Sequence, residues 1–163
     1  MDALHHHNVE AVRTAFGESI VAAEEFRGEA TLTVARERIV EVCTFVRDTE
    51  GLRYDLLADV FGIDLNEAPG RYAVVYNVYS TSTHHRMRLK VVLGGDRPSI
   101  PTVTGVWPAA NWHERETFDM FGIVFEGHPD LRRLYMPEEF EYYPLRKDFP
   151  LMGKPGSLDL PLK

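Results

Sequence analysis

Six of the ten prolines of this 163-residue chain fall between Pro129 and Pro161. Proline lacks a backbone N–H and clashes with the preceding helical turn, so no helix or central strand can persist across that spacing. The same stretch carries Tyr135, Phe140, Tyr142, Tyr143 and Phe149. Disordered tails are poor in aromatics, so this one is expected to be ordered by what it lies against: in part its own domain, and for the rest a partner. The chain is therefore divided into a core at 1–125 and an extended, Pro-rich C-terminal tail at 126–163 that packs on a partner.

The core shows both secondary-structure periods. Val9, Val12 and Phe16 recur at helical spacing before Gly17, as do Ile39, Val42, Cys43 and Val46 before Gly51. Ile20 to Phe26 and Ala30 to Val34 predict two strands joined by an Arg27-Gly28 turn, and Leu56 to Val60 predicts a third. Tyr72, Val74, Tyr76 and Val78 alternate along a further strand. From His85 to Leu93, Met87, Leu89 and Val91 point inward, with Arg86, Arg88 and Lys90 outward. Helices interspersed irregularly with antiparallel strands predict an α+β fold, a two-layer sandwich of helices on a mostly antiparallel mixed sheet.

Several chemistries are excluded by what the chain lacks. Its single cysteine, Cys43, can neither hold an iron–sulfur cluster nor form an internal disulfide, and on an apolar helical stripe it reads as a buried small side chain. The net charge of −7 is concentrated in residues 1–50, which carry ten acidic and five basic side chains, so no strongly basic face is expected and nucleic acid is excluded as a partner. Gly94-Gly95 leads into Pro98 and not into a helix, so no phosphate cradle forms there. No nucleophile elbow is present. His5-His6-His7 reads as a solvated terminus and His84-His85 as the start of a strand. Residues 1–10 have neither the layout of a signal peptide nor that of a transit peptide.

The densest chemistry lies on the helix predicted at 108–121, with Pro108 in its first turn and Gly122 just past its end. Trp107, Ala110, Phe118 and Phe121 share one face, and Glu114 projects into the middle of it. A carboxylate there must find donors or take up a proton. Arg132 and Arg133 are the expected donors, which makes Glu114 a structural residue; general acid/base catalysis is the sharper alternative. Arg115, Glu116, Asp119 and Trp112 gather on a second face, with Arg115 and Asp119 one turn apart as a pair. Glu114 and Glu116 point to nearly opposite sides and cannot act as a carboxylate pair, and no histidine has the spacing for a metal site with Glu116 and Asp119.

These residues resemble a known family. The run Glu114-Arg115-Glu116-Thr117-Phe118-Asp119-Met120-Phe121-Gly122, followed by His128-Pro129-Asp130-Leu131-Arg132-Arg133-Leu134, is similar to the signature of the C-subunit of proton-pumping NADH:quinone oxidoreductase, respiratory complex I, also called its thirty-kilodalton subunit. Pro144-Leu145-Arg146-Lys147-Asp148-Phe149-Pro150-Leu151 resembles the family's tail motif, and the likeness extends over roughly 36–152. One departure is that Tyr142-Tyr143 stands where the family commonly has Gly-His.

The resemblance implies a non-catalytic scaffold subunit of the hydrophilic (peripheral) arm, on the cytoplasmic side of the cell membrane or in the equivalent organelle compartment. It binds no cofactor or metal itself; FMN and Fe-S clusters sit in partner subunits and carry electrons from NADH to quinone, coupled to proton translocation. The D-subunit of the same complex is the direct partner. Candidates for structural or interface roles are Glu114, Arg115, Glu116, Asp119, His128, Arg132, Arg133, Arg146, Lys147 and Asp148. The alternatives are a stand-alone enzyme using Glu114 or Asp119 as acid/base, or the same subunit in a ferredoxin-driven complex. An enzyme is expected to bury its tail and leave a pocket at the helix. A scaffold is expected to leave the tail protruding or disordered when alone, so that truncation after Val124 spares the core.

Overall fold

The computed structural model describes residues 3–66 and 70–154. Helix α1 (Ala3–Phe16) leads into the hairpin β1 (Ile20–Phe26) and β2 (Glu29–Val34), and α2 (Ile39–Asp48) follows. Strands β3 (Leu56–Asp64), β4 (Tyr72–Tyr79) and β5 (Arg86–Leu93) form a meander. Helix α3 (Ala110–Phe121) lies between two short strands, β6 (Ser99–Pro101) and β7 (Val124–Glu126). Among the described residues no helix or strand follows Glu126, and no helix is long and apolar enough to cross a membrane.

The main sheet has the order β1-β2-β5-β4-β3. Its central β2–β5 pairing is parallel and the other three are antiparallel. The α+β reading with a mostly antiparallel mixed sheet is thus correct. Its basis is visible in the register: Tyr72, Val74, Tyr76 and Val78 of β4 face Leu93, Val91, Leu89 and Met87 of β5. Both alternations therefore fall on one side, and all eight side chains are buried there.

Against that side pack Val9 and Val12 of α1 and Ile39, Val42, Cys43 and Val46 of α2, all buried. Asn8 of α1, also buried, donates to the Tyr54 hydroxyl at 3.2 Å. His6 and His7 are exposed as expected, while the side chain of His5 and the whole of 155–163, with Pro155 and Pro161, lie outside the described residues.

Three details differ from the sequence reading. Strand β3 runs four residues further than Val60, to Asp64, because Gly62 lets α3 lie close against it. Helix α3 starts at Ala110, and Pro108 sits in a preceding turn whose Trp107 carbonyl accepts from Ala110 N–H. The parallel pair β6–β7 was not anticipated: each strand is three residues long, too short to show a period. It nonetheless buries Ile100 and Phe125 fully and crosses the expected boundary at 125/126.

Candidate functional site

Helix α3 is positioned by two glycines. A Cβ on Gly62 of β3 would stand 2.7 Å from Phe121 Cδ2 and 3.0 Å from Thr117 Cγ2, so only glycine lets the helix approach the strand. Thr117 then donates to the Val60 carbonyl at 3.4 Å on the free edge of β3. At its other end α3 stops at Gly122, which adopts φ +74°. A Cβ there would lie 2.5 Å from both Arg146 Nη2 and Tyr143 Cε2, so the same residue ends the helix and admits the tail.

Glu114 is fully buried, as the helical wheel predicts, but its partners are not arginines. Its Oε1 accepts the Val103 N–H at 2.8 Å and its Oε2 lies 2.5 Å from Thr102 Oγ1. Arg132 instead forks onto Asp130 at 2.6 and 2.8 Å near the surface, and Arg133 is taken by Asp119. The arginines find acidic partners nearer their own path, and the buried Glu114 holds a proton more tightly than an ordinary carboxyl. Desolvation pushes its pKa from 4.5 up to about 7, against the lowering effect of the Thr102 hydroxyl and Val103 N–H. The Thr102 hydroxyl donates to Oε2 and the Val103 N–H to Oε1.

His128 lies against the same group, its side chain fully buried and Nε2 3.9 Å from Glu114 Oε2. Its Nδ1 accepts the Asp130 N–H at 3.0 Å, so Nε2 carries the hydrogen and donates to the Asn111 carbonyl at 3.1 Å. His128 thereby fastens the start of the tail to the start of α3.

Asp119, also fully buried, is not paired with Arg115. One oxygen takes Arg133 Nη1 at 2.6 Å, and the other takes the N–H groups of Leu134, Tyr135 and Met136 at 3.0, 2.7 and 3.0 Å. Burial alone would raise its pKa. The N–H groups of Met136 and Tyr135, the Arg133 guanidinium and the Leu134 N–H together hold it below the usual carboxylate range. Arg115 turns the other way, donating to the carbonyls of Arg132 and Arg133 at 3.1 and 3.3 Å while stacking on Trp112. A helix carboxylate and a helix guanidinium thus grip the N–H and C=O groups of consecutive tail residues. Glu116 joins neither: it is exposed on the outer side of α3.

Further along, Arg146 donates from Nε to the Phe121 carbonyl at 2.6 Å. Its guanidinium lies over the rings of Tyr72 and Tyr143. The Lys147 N–H donates to Asp64 Oδ2 at 2.9 Å. Asp148 and Asp64 both bind Arg71, at 3.0 and 2.8 Å. The Arg71 guanidinium is the main reason Asp64 has its pKa lowered to about 2. Arg146, Lys147 and Asp148 therefore form a latch, and its receiving groups Asp64, Arg71 and Tyr72 were missed in the sequence, as were Thr102 and Val103. Spacing signals only Asp64 and Arg71, which bracket the β3–β4 turn.

The tail is thus folded back on the domain as far as Phe149, contrary to what a scaffold was expected to show. The reason is the unmet hydrogen bonding of the charges on α3. Among the described residues no cleft of note opens onto Glu114 or Asp119. A groove of about 180 Å³ beside α3 is lined by Asp59, Glu116, Met120, Phe121 and Leu145 among others, but not by Glu114 or Asp119. The larger cleft of about 500 Å³ lies on the opposite face of the sheet, around Glu29, Tyr79, Arg86 and Arg88. Cys43 is buried, and desolvation followed by the Glu114 charge raises its thiol pKa well above the ordinary value. Among the described residues no group of three or more His, Cys, Asp or Glu is placed to hold a metal ion.

Comparison with known proteins covers most of the chain. Residues 32–155 match the family model of the respiratory-chain NADH dehydrogenase 30 kDa subunit. The NADH-quinone oxidoreductase C-subunit of Roseiflexus sp. (strain RS-1) is 48% identical over 143 residues, 88% of this chain and 82% of the relative. The second C-subunit of Rhizobium meliloti (strain 1021) is 46% identical, over 91% and 81%. Among solved structures, a trypsin-resistant fragment of Nqo5 superposes with a TM-score of 0.65 at 33% identity, covering 78% of this chain and 99% of the fragment. A chain of an archaeal membrane-bound sulfane sulfur reductase, at 21% identity and a TM-score of 0.77, shares the fold over 90% of this chain and 86% of its own length. The buried Glu114, the Asp119–Arg133 pair and the Arg146 latch are therefore features of a chain that belongs to the family of the 30 kDa subunit of respiratory-chain NADH dehydrogenase.

Proposed function

We propose that this chain is a structural subunit of the peripheral arm of an NADH:quinone oxidoreductase on the cytoplasmic side of the membrane. It holds no redox group and no catalytic residue of its own, and the D-subunit of that complex is its direct partner. FMN and Fe-S clusters held by other subunits carry the electrons. In this reading residues 126–154 are packed on the domain with one side and on the partner with the other, and the tail at 126–163 acts as one unit toward the partner.

The observation that carries the reading is the use made of the ionised groups of α3. Asp119 and Arg115 spend their hydrogen bonds on the backbone of residues 132–136. Glu114 spends its own on Thr102 and Val103. The charges organise an irregular segment, which is what a surface built for assembly requires. One observation favours the stand-alone acid/base reading: a carboxyl titrating near 7 is well tuned for proton transfer. Its full burial, away from any groove, speaks against it.

The test is a deletion strain complemented with the native chain. Native-gel assembly and NADH-dependent quinone reduction are expected to be lost on deletion and restored together, and the separately purified chain is expected to carry no flavin, iron or quinone. A stoichiometric redox group on the isolated chain, or oxidoreductase activity without other subunits, overturns the proposal.

A further inference from the structure

The side of α3 turned away from the sheet presents exposed apolar side chains next to the tail. Trp112 and Glu116 are one turn apart on it. Tyr135 is pinned alongside by Asp119, and Leu145 closes its far end through an N–H to the Met120 carbonyl. Trp112, Tyr135 and Leu145 are 60%, 59% and 56% exposed, three large apolar side chains left uncovered on α3 and on the tail fixed beside it. Between α3 and the edge strand β3 runs the groove of about 180 Å³, with Leu145 at its wall.

The two charged side chains that line this groove are both acidic. Asp59 and Glu116 line it from opposite sides. Asp59 meets only the His113 ring, at 3.2 Å, and Glu116 has no hydrogen-bond or ion-pair partner among the described residues. Between Tyr135 and Leu145 the tail adds Glu138, Glu139 and Glu141, all exposed, and no basic side chain. On the open face of the sheet, by contrast, Arg86 and Arg88 already share Glu29.

We infer that the exposed face of α3, with the groove between it and β3, is a docking surface for a partner-subunit segment that carries Lys or Arg beside aliphatic or aromatic side chains. This rests on the proposed role as a subunit and says where that contact is made. Charge complementarity selects the occupant: the apolar side chains fill the groove against Met120, Phe121 and Leu145 with Trp112 exposed on the adjoining face, and the basic group meets Glu116 and Asp59. A second copy of this chain does not fit. A two-fold contact would set this acidic patch against itself, and each chain already carries a net charge of −7.

The experiment uses the assembled complex from a strain carrying only the altered chain. A photo-crosslinking residue is placed at position 116 and, as a control, at the exposed position 24 of β1. Position 116 is expected to crosslink to another subunit, at a peptide with Lys or Arg near the attachment point, and position 24 not to reach that peptide. In parallel, Glu116→Lys combined with Leu145→Ala is expected to lower recovery in the complex by about tenfold or more, and Glu24→Lys to leave it unchanged. Melting of the isolated double variant within about 3 °C of the native chain confirms that both side chains were surface groups. A crosslink from 116 to a second copy, no crosslink, or normal recovery of the folded double variant overturns the inference while the subunit role stands. Failure of the native chain itself to co-purify with the complex overturns the subunit role instead.

Discussion

Helices α2 and α3 belong to the same domain and hold their places by opposite means. Helix α2 buries Ile39, Val42, Cys43 and Val46 and keeps Glu41 and Asp48 exposed, with Arg47 half-buried against the Val106 carbonyl. Helix α3 buries Glu114, Arg115, Thr117 and Asp119 beside Ala110 and Met120. An apolar stripe is satisfied by any well-packed surface, because burial has no direction. A buried carboxylate or guanidinium is satisfied only by particular donors and acceptors at particular places. Helix α2 is thus held mainly by apolar packing on the sheet and α1, whereas α3 specifies the course of the chain that follows it. This is how a segment with too many prolines for regular structure is ordered at all.

The most severe way to break the contrast is truncation after Val124. It removes Phe125 and Phe140 from burial and leaves Asp119 buried without its four donors. The expected loss exceeds about 5 kcal/mol, most or all of the stability of an ordinary domain, so circular dichroism should show no cooperative melt. This reverses the expectation that the core would survive without its tail. A truncated chain that melts like the full one would show that α3 can be held by the sheet alone.

Next in size, Asp119→Ala is expected to cost about 3–5 kcal/mol in urea unfolding, because it strands Arg133 and three backbone N–H groups. Asp119→Asn should cost less. Hydrogen exchange sharpens the comparison: the amides of Leu134, Tyr135 and Met136 should lose protection in the Ala variant while those of α2 keep theirs. Equal loss in both helices would refute the idea that Asp119 acts on the tail.

Glu114 gives an effect that depends on pH. Its pKa is 4.5 unfolded and about 7 folded, so the folded state keeps a proton that the unfolded chain has released. The stability it contributes is complete below 4.5 and is lost as pH rises to about 7, a change of about 3 kcal/mol. Glu114→Gln does not titrate, yet can donate to Thr102 and accept from Val103. It should therefore gain on the native chain by that amount between pH 4.5 and 7.5. Asp64 acts in the opposite sense, losing its contribution as pH falls toward 2, but it is common to both proteins and cancels. A stability difference that stays flat with pH rules out a titrating Glu114.

The smallest effect belongs to α2. Cys43→Ala removes one buried sulfur and should cost about 1–2 kcal/mol, with tail amides as protected as before. The native thiol should not react with alkylating reagents until the chain unfolds. Ready labelling of the folded chain would show α2 to be more loosely packed than its buried stripe implies.

The same contrast explains what could be read from the sequence. The α2 stripe and the alternations of β4 and β5 are local patterns of hydrophobicity, and they appear in the structure in register. The helical wheel also placed Glu114 in the interior correctly, and Gly122 at the end of α3. Its partners were out of reach, because whether a carboxyl meets arginine or takes up a proton depends on where a distant loop passes. Thr102 and Val103 carry no charge to draw notice. The arginines that do were claimed by Asp119 and Asp130. Strands β6 and β7 escaped for a related reason: three residues show no period, and they exist because α3 holds them side by side.

The parallel seam between β2 and β5 has a consequence for how the molecule is made. Glu29 and Arg88, which meet across it, are 59 residues apart in sequence. As the chain leaves the ribosome, α1, β1, β2 and α2 emerge first. They must wait with one edge of β2 unpaired until β5 arrives, after both β3 and β4. Contacts of that separation close slowly, since the loop entropy is spent before any pairing is gained. The β1–β2 hairpin is therefore the part of the nascent protein most open to wrong strand partners, and the full sheet is a late product of synthesis.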